Sequence, residues 1–338
     1  MPPKGSKKAA TAKKGLKADE AVEGALLQGL TLTMKQARVI HRRESKLNGD
    51  ILVEELVVEG AQPGTVVRRM RFMSNLELEQ TEVRLVIHPD GRAVADKDYL
   101  PYQCLQGMLL SLPLFPTRSA EEVAKEPMEI LIVGLAGGML PRYLRNTLPA
   151  TNIDCVELDP AVADIAKEYF DLSADKGITV HVADGVDFVA AAPEDWYDLT
   201  LMDVNACDEN DKILEAPPRP FITPEFINAW ARTTRPGGVA AMNVLCSDPA
   251  LFNTILLRIR DAFGGPVSFL KDHAEDADEN YVVYVCKPVP GKPLEAPTSE
   301  RVRAKLRLLE QQAPSLKQFN LSKRTAEQFN QFDPDAFP

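Results

Sequence analysis

The sequence predicts an α/β fold, in which a small antiparallel β-domain precedes a doubly wound, seven-stranded and mostly parallel sheet. Three features predict it. From Glu129 onward, short apolar runs alternate with segments of helical periodicity, the pattern of strand–helix–strand units. The first of these runs ends in a glycine-rich turn, Val133-Gly134-Leu135-Ala136-Gly137-Gly138. The last two runs lack an intervening helix, so the sheet ends in a β-hairpin.

The elements follow in order. Residues 1–18 are lysine-rich with no acid before Asp19, and cannot bury enough apolar surface to offset their ordering entropy. They read as a disordered, solvated tail, with a nuclear-import patch or an RNA-contacting arm as the functional alternative. Residues 19–112 read as a helix plus the small β-domain. The helix spans Asp19–Ser45, with Leu26, Leu27, Leu30 and Met34 at helical spacing. The strands are Ile51–Val58, Val66–Met73 and Leu76–Ile87, with turns at Gly60–Gly64 and Pro89-Asp90-Gly91, and a helix over Tyr99–Leu112 leads onward. Residues 113–287 form the main domain. Its strands are read at Ile130–Gly134, Ile153–Glu157, Ile178–Ala183, Asp198–Met202, Gly238–Leu245, Val267–Leu270 and Tyr281–Cys286, with helices between all but the last two, and Trp196 and Trp230 are assigned to the core. Residues 288–338 are a proline-rich extension with a helix at Ser299–Gln312 and a polar tail.

Bulk properties narrow the function. The chain has 338 residues, 45% hydrophobic and 26% charged, enough for a sizeable core. A net charge of -10 argues against general nucleic-acid binding, so no specific nucleic-acid partner is predicted. An acidic surface suits a cationic substrate, although most acidic proteins are simply soluble. Five scattered cysteines form no C-x-x-C pair, so neither a disulfide framework nor a metal site is predicted. No run approaches the length of a membrane span. These features predict a soluble, cytoplasmic protein, with nuclear and mitochondrial placement open.

The chemistry concentrates at strand ends. Gly134, Gly137 and Gly138 let the backbone turn sharply and approach a ligand with no Cβ in the way. Taken alone the motif is weak, since many strand-to-helix turns need a glycine, and its alternative is a tight turn. Glu157 ends the second strand, 23 positions after Gly134, where a carboxylate can accept both hydroxyls of a ribose. Asp184 follows the third strand and suits an adenine amino group; Asp203 closes the fourth. Acids ending three successive strands share the carboxyl edge of the sheet, and together with the glycines they point to a nucleoside-bearing cofactor.

The runs Gly134-Leu135-Ala136-Gly137-Gly138-Met139-Leu140-Pro141, Val156-Glu157-Leu158-Asp159-Pro160, His181-Val182-Ala183-Asp184-Gly185 and Met202-Asp203-Val204 resemble the spermidine-synthase-like class I methyltransferases. Within that family they are most similar to the branch that methylates elongation factor 1-alpha. Arg71-Phe72-Met73-Ser74-Asn75, Gln80 through Leu85 and Asp98-Tyr99-Leu100 upstream, and Pro217–Phe221 and Leu245–Asp248 downstream, extend the likeness over about Leu52 to Cys286. The resemblance implies a small N-terminal β-domain and a seven-stranded Rossmann-like methyltransferase domain. It implies S-adenosylmethionine as cofactor, with Gly134, Ala136, Gly137 and Gly138 at its methionine part, Glu157 at the ribose, and Asp184 and Gly185 at the adenine. Asp203 would be the catalytic residue, beside the sulfonium and the incoming amine. Gln80, Tyr102, Gln103 and Asp208 would line the substrate side. The implied partner is a protein whose N-terminal α-amine or lysine is methylated, elongation factor 1-alpha being the family's example. A homodimer or a place in a larger assembly is also implied.

Two departures bear on this. Ala136 stands where the family has glycine, which places a methyl group beside the cofactor carboxylate. Polyamine synthases carry Asp-Ser-Ser-Asp after the fourth strand, whereas this chain has Asp203-Val204-Asn205-Ala206 and lacks the second acid. The expected activity is therefore methyl transfer to a protein amine. The alternatives are a catalytically inactive subunit or scaffold that retains the fold and, less favoured, an aminopropyltransferase. The acidic, proline-rich stretch Asn205–Pro220 either folds over the cofactor and attracts a cationic chain end or is a solvated loop.

Overall fold

A computed structural model of the chain describes residues 37–58, 65–172, 176–205, 211–272 and 280–334. The basic tail, the amphipathic run Leu26–Met34 and Asp208 lie outside the described residues.

The N-terminal sheet is an antiparallel meander of β1 (Arg38–Ser45), β2 (Gly49–Val57), β3 (Val66–Phe72), β4 (Asn75–Ile87) and β5 (Ala93–Ala95), in that spatial order. Arg38–Ser45 is a strand, where the sequence predicts a continuing helix. Tertiary pairing overrides local propensity here. Gly49, at φ +67°, turns the chain into a hairpin, and Arg38–Glu55 and Arg42–Asp50 pair across the two strands. Ile51, Val53, Met70, Val83 and Leu85 share one face and join the core of the main domain. His41 stacks on Tyr169 at 4.6 Å between ring centroids, and Arg68 donates to the Tyr169 carbonyl.

A connecting segment follows, with α1 (Gln103–Met108), a 3-10 turn (Leu109–Leu114) and α2 (Ala120–Lys125). The helix predicted over Tyr99–Leu112 starts later because Pro101 holds Leu100 extended, and Pro113 falls in the 3-10 turn that ends it. The main domain then runs β6 (Met128–Val133), α3 (Met139–Thr147), β7 (Thr151–Glu157), α4 (Pro160–Tyr169), β8 (Ile178–Val182), α5 (Gly185–Ala191), β9 (Tyr197–Met202), β10 (Leu214–Ala216), α6 (Pro224–Thr233), β11 (Thr234–Cys246), α7 (Pro249–Phe263), β12 (Val267–Asp272) and β13 (Asn280–Cys286). The helices are capped by side chains from the preceding loops: Asp159 on α4, Asp184 on α5, Thr223 on α6 and Asp248 on α7.

The extension adds α8 (Ser299–Gln312), α9 (Leu321–Gln328) and β14 (Phe329–Gln331). Among the described residues the sheet order is β14-β12-β13-β11-β9-β6-β7-β8, with β10 on β11. Strands β6, β7, β8, β9 and β11 are parallel, and β12 and β13 form the expected hairpin. The described residues after α8 pack onto the domain: Leu316 and Leu321 are fully buried, and β14 pairs with β12. Trp230 is core as expected, donating to Thr200 Oγ1 at 2.7 Å. Trp196 is 45% exposed, its ring capped by the Arg235 guanidinium at 5.9 Å. It precedes β9 at the amino edge of the sheet.

Candidate active site at the carboxyl edge

The chain leaves β6 toward β7 on one side, and β9 returns on the other side of β6. That reversal opens a crevice at the carboxyl ends of β6 and β9, the place where open α/β sheets take ligands. Gly134 and Asp203 face each other across it. The backbone N–H of Asp203 donates to the Val133 carbonyl at 2.9 Å, and Gly134 N–H donates to Val156 at 2.9 Å. Gly134 lies at φ +91°, and a Cβ on it would fall 1.9 Å from the Asp203 carbonyl oxygen. Only glycine lets the two strand ends come this close.

Each further position in the loop has its own cause. A Cβ on Gly137 would fall 2.5 Å from Thr81 Cγ2, and the Gly137 N–H donates to Thr81 Oγ1 at 3.3 Å. Gly138, at φ +74°, starts α3 against Leu172. Ala136 itself is left-handed at φ +47°, so it takes the backbone conformation a glycine would take. An alanine costs about 1 kcal/mol more than glycine there, partly offset because its methyl packs against the core. Gly185 starts α5 where a Cβ would meet Val133 Cγ1 at 2.5 Å.

Glu157 reaches back across this loop. Its Oε2 accepts the Leu135 N–H at 3.2 Å and its Oε1 accepts the Asp159 N–H at 2.9 Å. Burial raises its pKa, and the backbone donors at Asp159, Leu135 and Ala136 oppose that rise. With three backbone donors on its four acceptor sites, the carboxylate keeps one site free. Asp159, 2% exposed, is tied to the first hairpin by Ser45 and by Asn48 Nδ2 at 2.7 Å. Asp184 is exposed; its Oδ1 takes both cap bonds, from Val186 at 2.7 Å and Asp187 at 3.4 Å.

Asp203 is the electrostatic centre. Burial pushes its pKa up to about 6, and the hydrogen bond from Asn243 Nδ2, 3.1 Å to Oδ1, pulls the other way. The segment from α1 onward packs along β13 and β11. The Tyr284 hydroxyl donates to the Gly107 carbonyl at 2.8 Å, and Cys286 Sγ lies 3.4 Å from the Leu114 carbonyl. This segment therefore runs down the sheet from the carboxyl edge, with Tyr102 and Gln103 at its upper end. Gln80 is the extra residue where β4 slips register, between Arg71↔Glu79 and Met70↔Thr81. Such bulges re-aim side chains next to binding sites.

The acidic stretch after β9 divides. From Asp211 on it is structured: Asp211 accepts from Arg219 Nε at 2.6 Å and from the backbone of Ile213 and Leu214, and β10 pairs with β11. Asp211 is thus paired within the chain. Thr81 and Asn243 were not singled out in the sequence. Asn243 left a signal there, a lone amide inside the apolar run Ala240-Ala241-Met242-Asn243-Val244-Leu245. Thr81 left none. Among the described residues no His, Cys, Asp and Glu group could hold a metal, and no helix is long and apolar enough to cross a membrane.

Fold and crevice together define a doubly wound α/β domain of the kind that seats a nucleoside at a glycine loop and an acidic strand end. Residues 106–263 match the spermine/spermidine synthase domain. It is 29% identical over 254 residues to the mouse (Mus musculus) eEF1A lysine and N-terminal methyltransferase, covering 67% of this chain and 36% of that protein. It is 28% identical over 252 residues to the Drosophila melanogaster homologue, covering 71% and 35%. The chain thus spans about a third of the length of these relatives. Among solved structures it is similar to human methyltransferase-like protein 13 in complex with SAH, at 26% identity and a TM-score of 0.54, over 63% of this chain and 93% of that one. The probable spermidine synthase of Corynebacterium glutamicum, at 15% identity and a TM-score of 0.57 over 80% and 87%, shares the fold.

Proposed function

We propose that the protein is an S-adenosylmethionine-dependent methyltransferase acting on a protein amine. The observation that carries this reading is the pairing of a glycine cradle with a buried carboxylate, Gly134 against Asp203, at the switch point of the sheet. The residues present fit the cofactor: the loop turns sharply at the carboxyl end of β6 through left-handed Gly134, Ala136 and Gly138, and Glu157 keeps an acceptor site for a ribose hydroxyl. Ala136 fits as well, since it already adopts the left-handed backbone. In this reading Gly134, Ala136, Gly137 and Gly138 hold the methionine part. Glu157 holds the ribose, and Asp184, at the start of α5 with Gly185, the adenine edge. Gln80, Tyr102 and Gln103 line the amine side, and Asp208 belongs to the same proposal on resemblance alone.

The cofactor supplies a methyl group already activated on a positively charged sulfur. What remains for the chain is to orient an amine and accept its proton. Asp203, ionised above about pH 6, accepts an N–H of the incoming amine and turns its lone pair toward the crevice. Holding reacting atoms about 3–3.5 Å apart can supply several kcal/mol of the barrier. An α-amine, with a pKa of about 8, needs a weaker base than a lysine of about 10.4. That difference favours a chain N-terminus as substrate. The relatives' names make elongation factor 1-alpha the first substrate to try.

The test is titration calorimetry with S-adenosylmethionine and its demethylated product, beside Glu157→Ala and Asp203→Ala, followed by methyl transfer to recombinant elongation factor 1-alpha with a free N-terminus. Micromolar binding lost in Glu157→Ala supports the reading. A folded protein that binds neither compound overturns it in favour of a scaffold. Preference for the decarboxylated cofactor points instead to aminopropyl transfer.

A further inference from the structure

Asn243 lies within a fully apolar run of β11 and is 5% exposed. Its Nδ2 donates to Asp203 Oδ1 at 3.1 Å. A carboxylate only accepts, so this bond fixes the amide: Nδ2 points to Asp203 and Oδ1 away from it. Among the described residues, that Oδ1 is enclosed and accepts no hydrogen bond. A buried amide oxygen without a donor is costly, and a leucine or valine would fill the same strand position without it. Core packing alone therefore does not explain the residue.

Strand alternation shows where the amide faces. Met242 and Val244 belong to the core on one side of the sheet; Val239 and Ala241 belong to the core on the other. Asn243 therefore shares the face of Ala241. Leu201 lies on that same face, and Asp203, two residues on, follows it. Val282, the partner of Asn243 in β13, lies under Gly107 of α1, where a Cβ would be 3.0 Å from Val282 Cγ2. The unpartnered oxygen thus sits beside Asp203, beneath the segment whose upper end carries Tyr102 and Gln103.

We propose that Asn243 is the second acceptor of the amine site: its Oδ1 and the Asp203 carboxylate receive two N–H groups of one incoming nitrogen. The inference rests on the methyl-transfer reading and deepens it. Two acceptors on one nitrogen fix the direction of its lone pair, which a single carboxylate leaves free to rotate. Through Nδ2 the same side chain also keeps Asp203 aimed. Both hydrogen-bonding ends of the amide are then used, which accounts for an asparagine at a position where an apolar side chain packs equally well.

The test needs no knowledge of the protein substrate. Sinefungin is a cofactor analogue that carries a primary amine on carbon in place of the methylsulfonium. S-adenosylhomocysteine lacks that amine. Both are titrated into the wild-type protein, Asn243→Leu and Asn243→Ser, with a circular-dichroism melt on each to establish folding. The wild type is expected to bind sinefungin more tightly than S-adenosylhomocysteine. Both variants are expected to keep their S-adenosylhomocysteine affinity within about twofold while the sinefungin preference falls about tenfold, the loss of one hydrogen bond to a charged group. Should Asn243→Leu fail to fold, Asn243→Ser carries the comparison. An unchanged preference in a folded variant, or no preference in the wild type, overturns the assignment and leaves the cofactor reading intact. Failure of the folded wild type to bind either compound overturns the methyl-transfer reading itself.

Discussion

Replacing Gly134 by alanine separates two costs that usually arrive together. Gly91 provides the control. It has almost the same backbone angle, φ +83° against +91°, but a Cβ on Gly91 meets nothing within 4 Å. Gly91→Ala therefore carries only the left-handed penalty of about 1–2 kcal/mol, reduced by about 0.4–1 kcal/mol because alanine has fewer unfolded conformations to lose. Gly134→Ala carries that and more, because its Cβ would lie 1.9 Å from the Asp203 carbonyl oxygen and 2.8 Å from its carbon. Restoring even the 3.0 Å that real Cβ contacts keep moves one strand end by more than 1 Å. Overpacking of this kind costs about 1–3 kcal/mol, so the total is about 3 kcal/mol. At about 2–4 °C per kcal/mol for a domain of this size, Gly134→Ala melts about 10 °C lower and Gly91→Ala only about 2–3 °C lower. The displaced atom belongs to Asp203, so turnover should fall by about two orders of magnitude. Thermal melts and cofactor titrations of both variants measure this. If Gly134→Ala melts no lower than Gly91→Ala and binds S-adenosylhomocysteine as the wild type does, the close approach of β6 and β9 is refuted.

Two further perturbations test the charges. Burial holds Asp203 at about 6 against an ordinary 3.8, so the folded state binds that proton more tightly than the unfolded one. The stabilisation this brings is complete below about pH 3.8 and is lost as pH rises through about 6. At pH 8 the ionised form then costs the fold about 1–2 kcal/mol, after a discount for its partial exposure. Asp203→Asn should be more stable than wild type at pH 8 and equal to it near pH 4 in guanidinium unfolding, and a variant less stable at pH 8 contradicts the burial. Asp159→Ala removes the cap of α4 and the bonds from Ser45 and Asn48, and should cost about 3 kcal/mol, whereas Ser45→Ala costs about 1. Adding Ser45→Ala to Asp159→Ala should then cost almost nothing, and full additivity in a double-mutant cycle speaks against the shared network.

The main sheet was legible because its signals are local. Apolar strands ending in glycine or acid, proline at helix starts and Gly264 after α7 mark boundaries that the structure keeps within a few residues. Arg38–Ser45 was not legible, since its eight residues contain four charges and read as a polar helix; the strand exists because β2 supplies both backbone partners and counter-charges. The last strand, Phe329–Gln331, was hidden for the same reason. Three residues carry no period, and pairing with β12 gives them their role.

The site was half legible, and the missing half is informative. Glu157, Asp184 and Asp203 stand at strand ends, where position alone assigns them to one edge. Thr81, Ser45 and Asn48 come from the other sheet, and no spacing rule relates them to the glycine loop. Yet they hold it: Thr81 Oγ1 takes the Gly137 N–H, while Ser45 and Asn48 fix Asp159, whose own N–H holds Glu157. Arg142 of α3 adds a third tie by donating to the Ala95 carbonyl at 2.9 Å, and Asp171 accepts the Ala95 N–H at 2.7 Å. The bonds of Thr81, Ser45 and Asn48 act at the loop and at the strand end that would carry the nucleoside. The N-terminal sheet is thus fastened to the main domain around the glycine loop by hydrogen bonds. Cofactor affinity should therefore respond to changes in β1 and β4 that touch no cofactor atom.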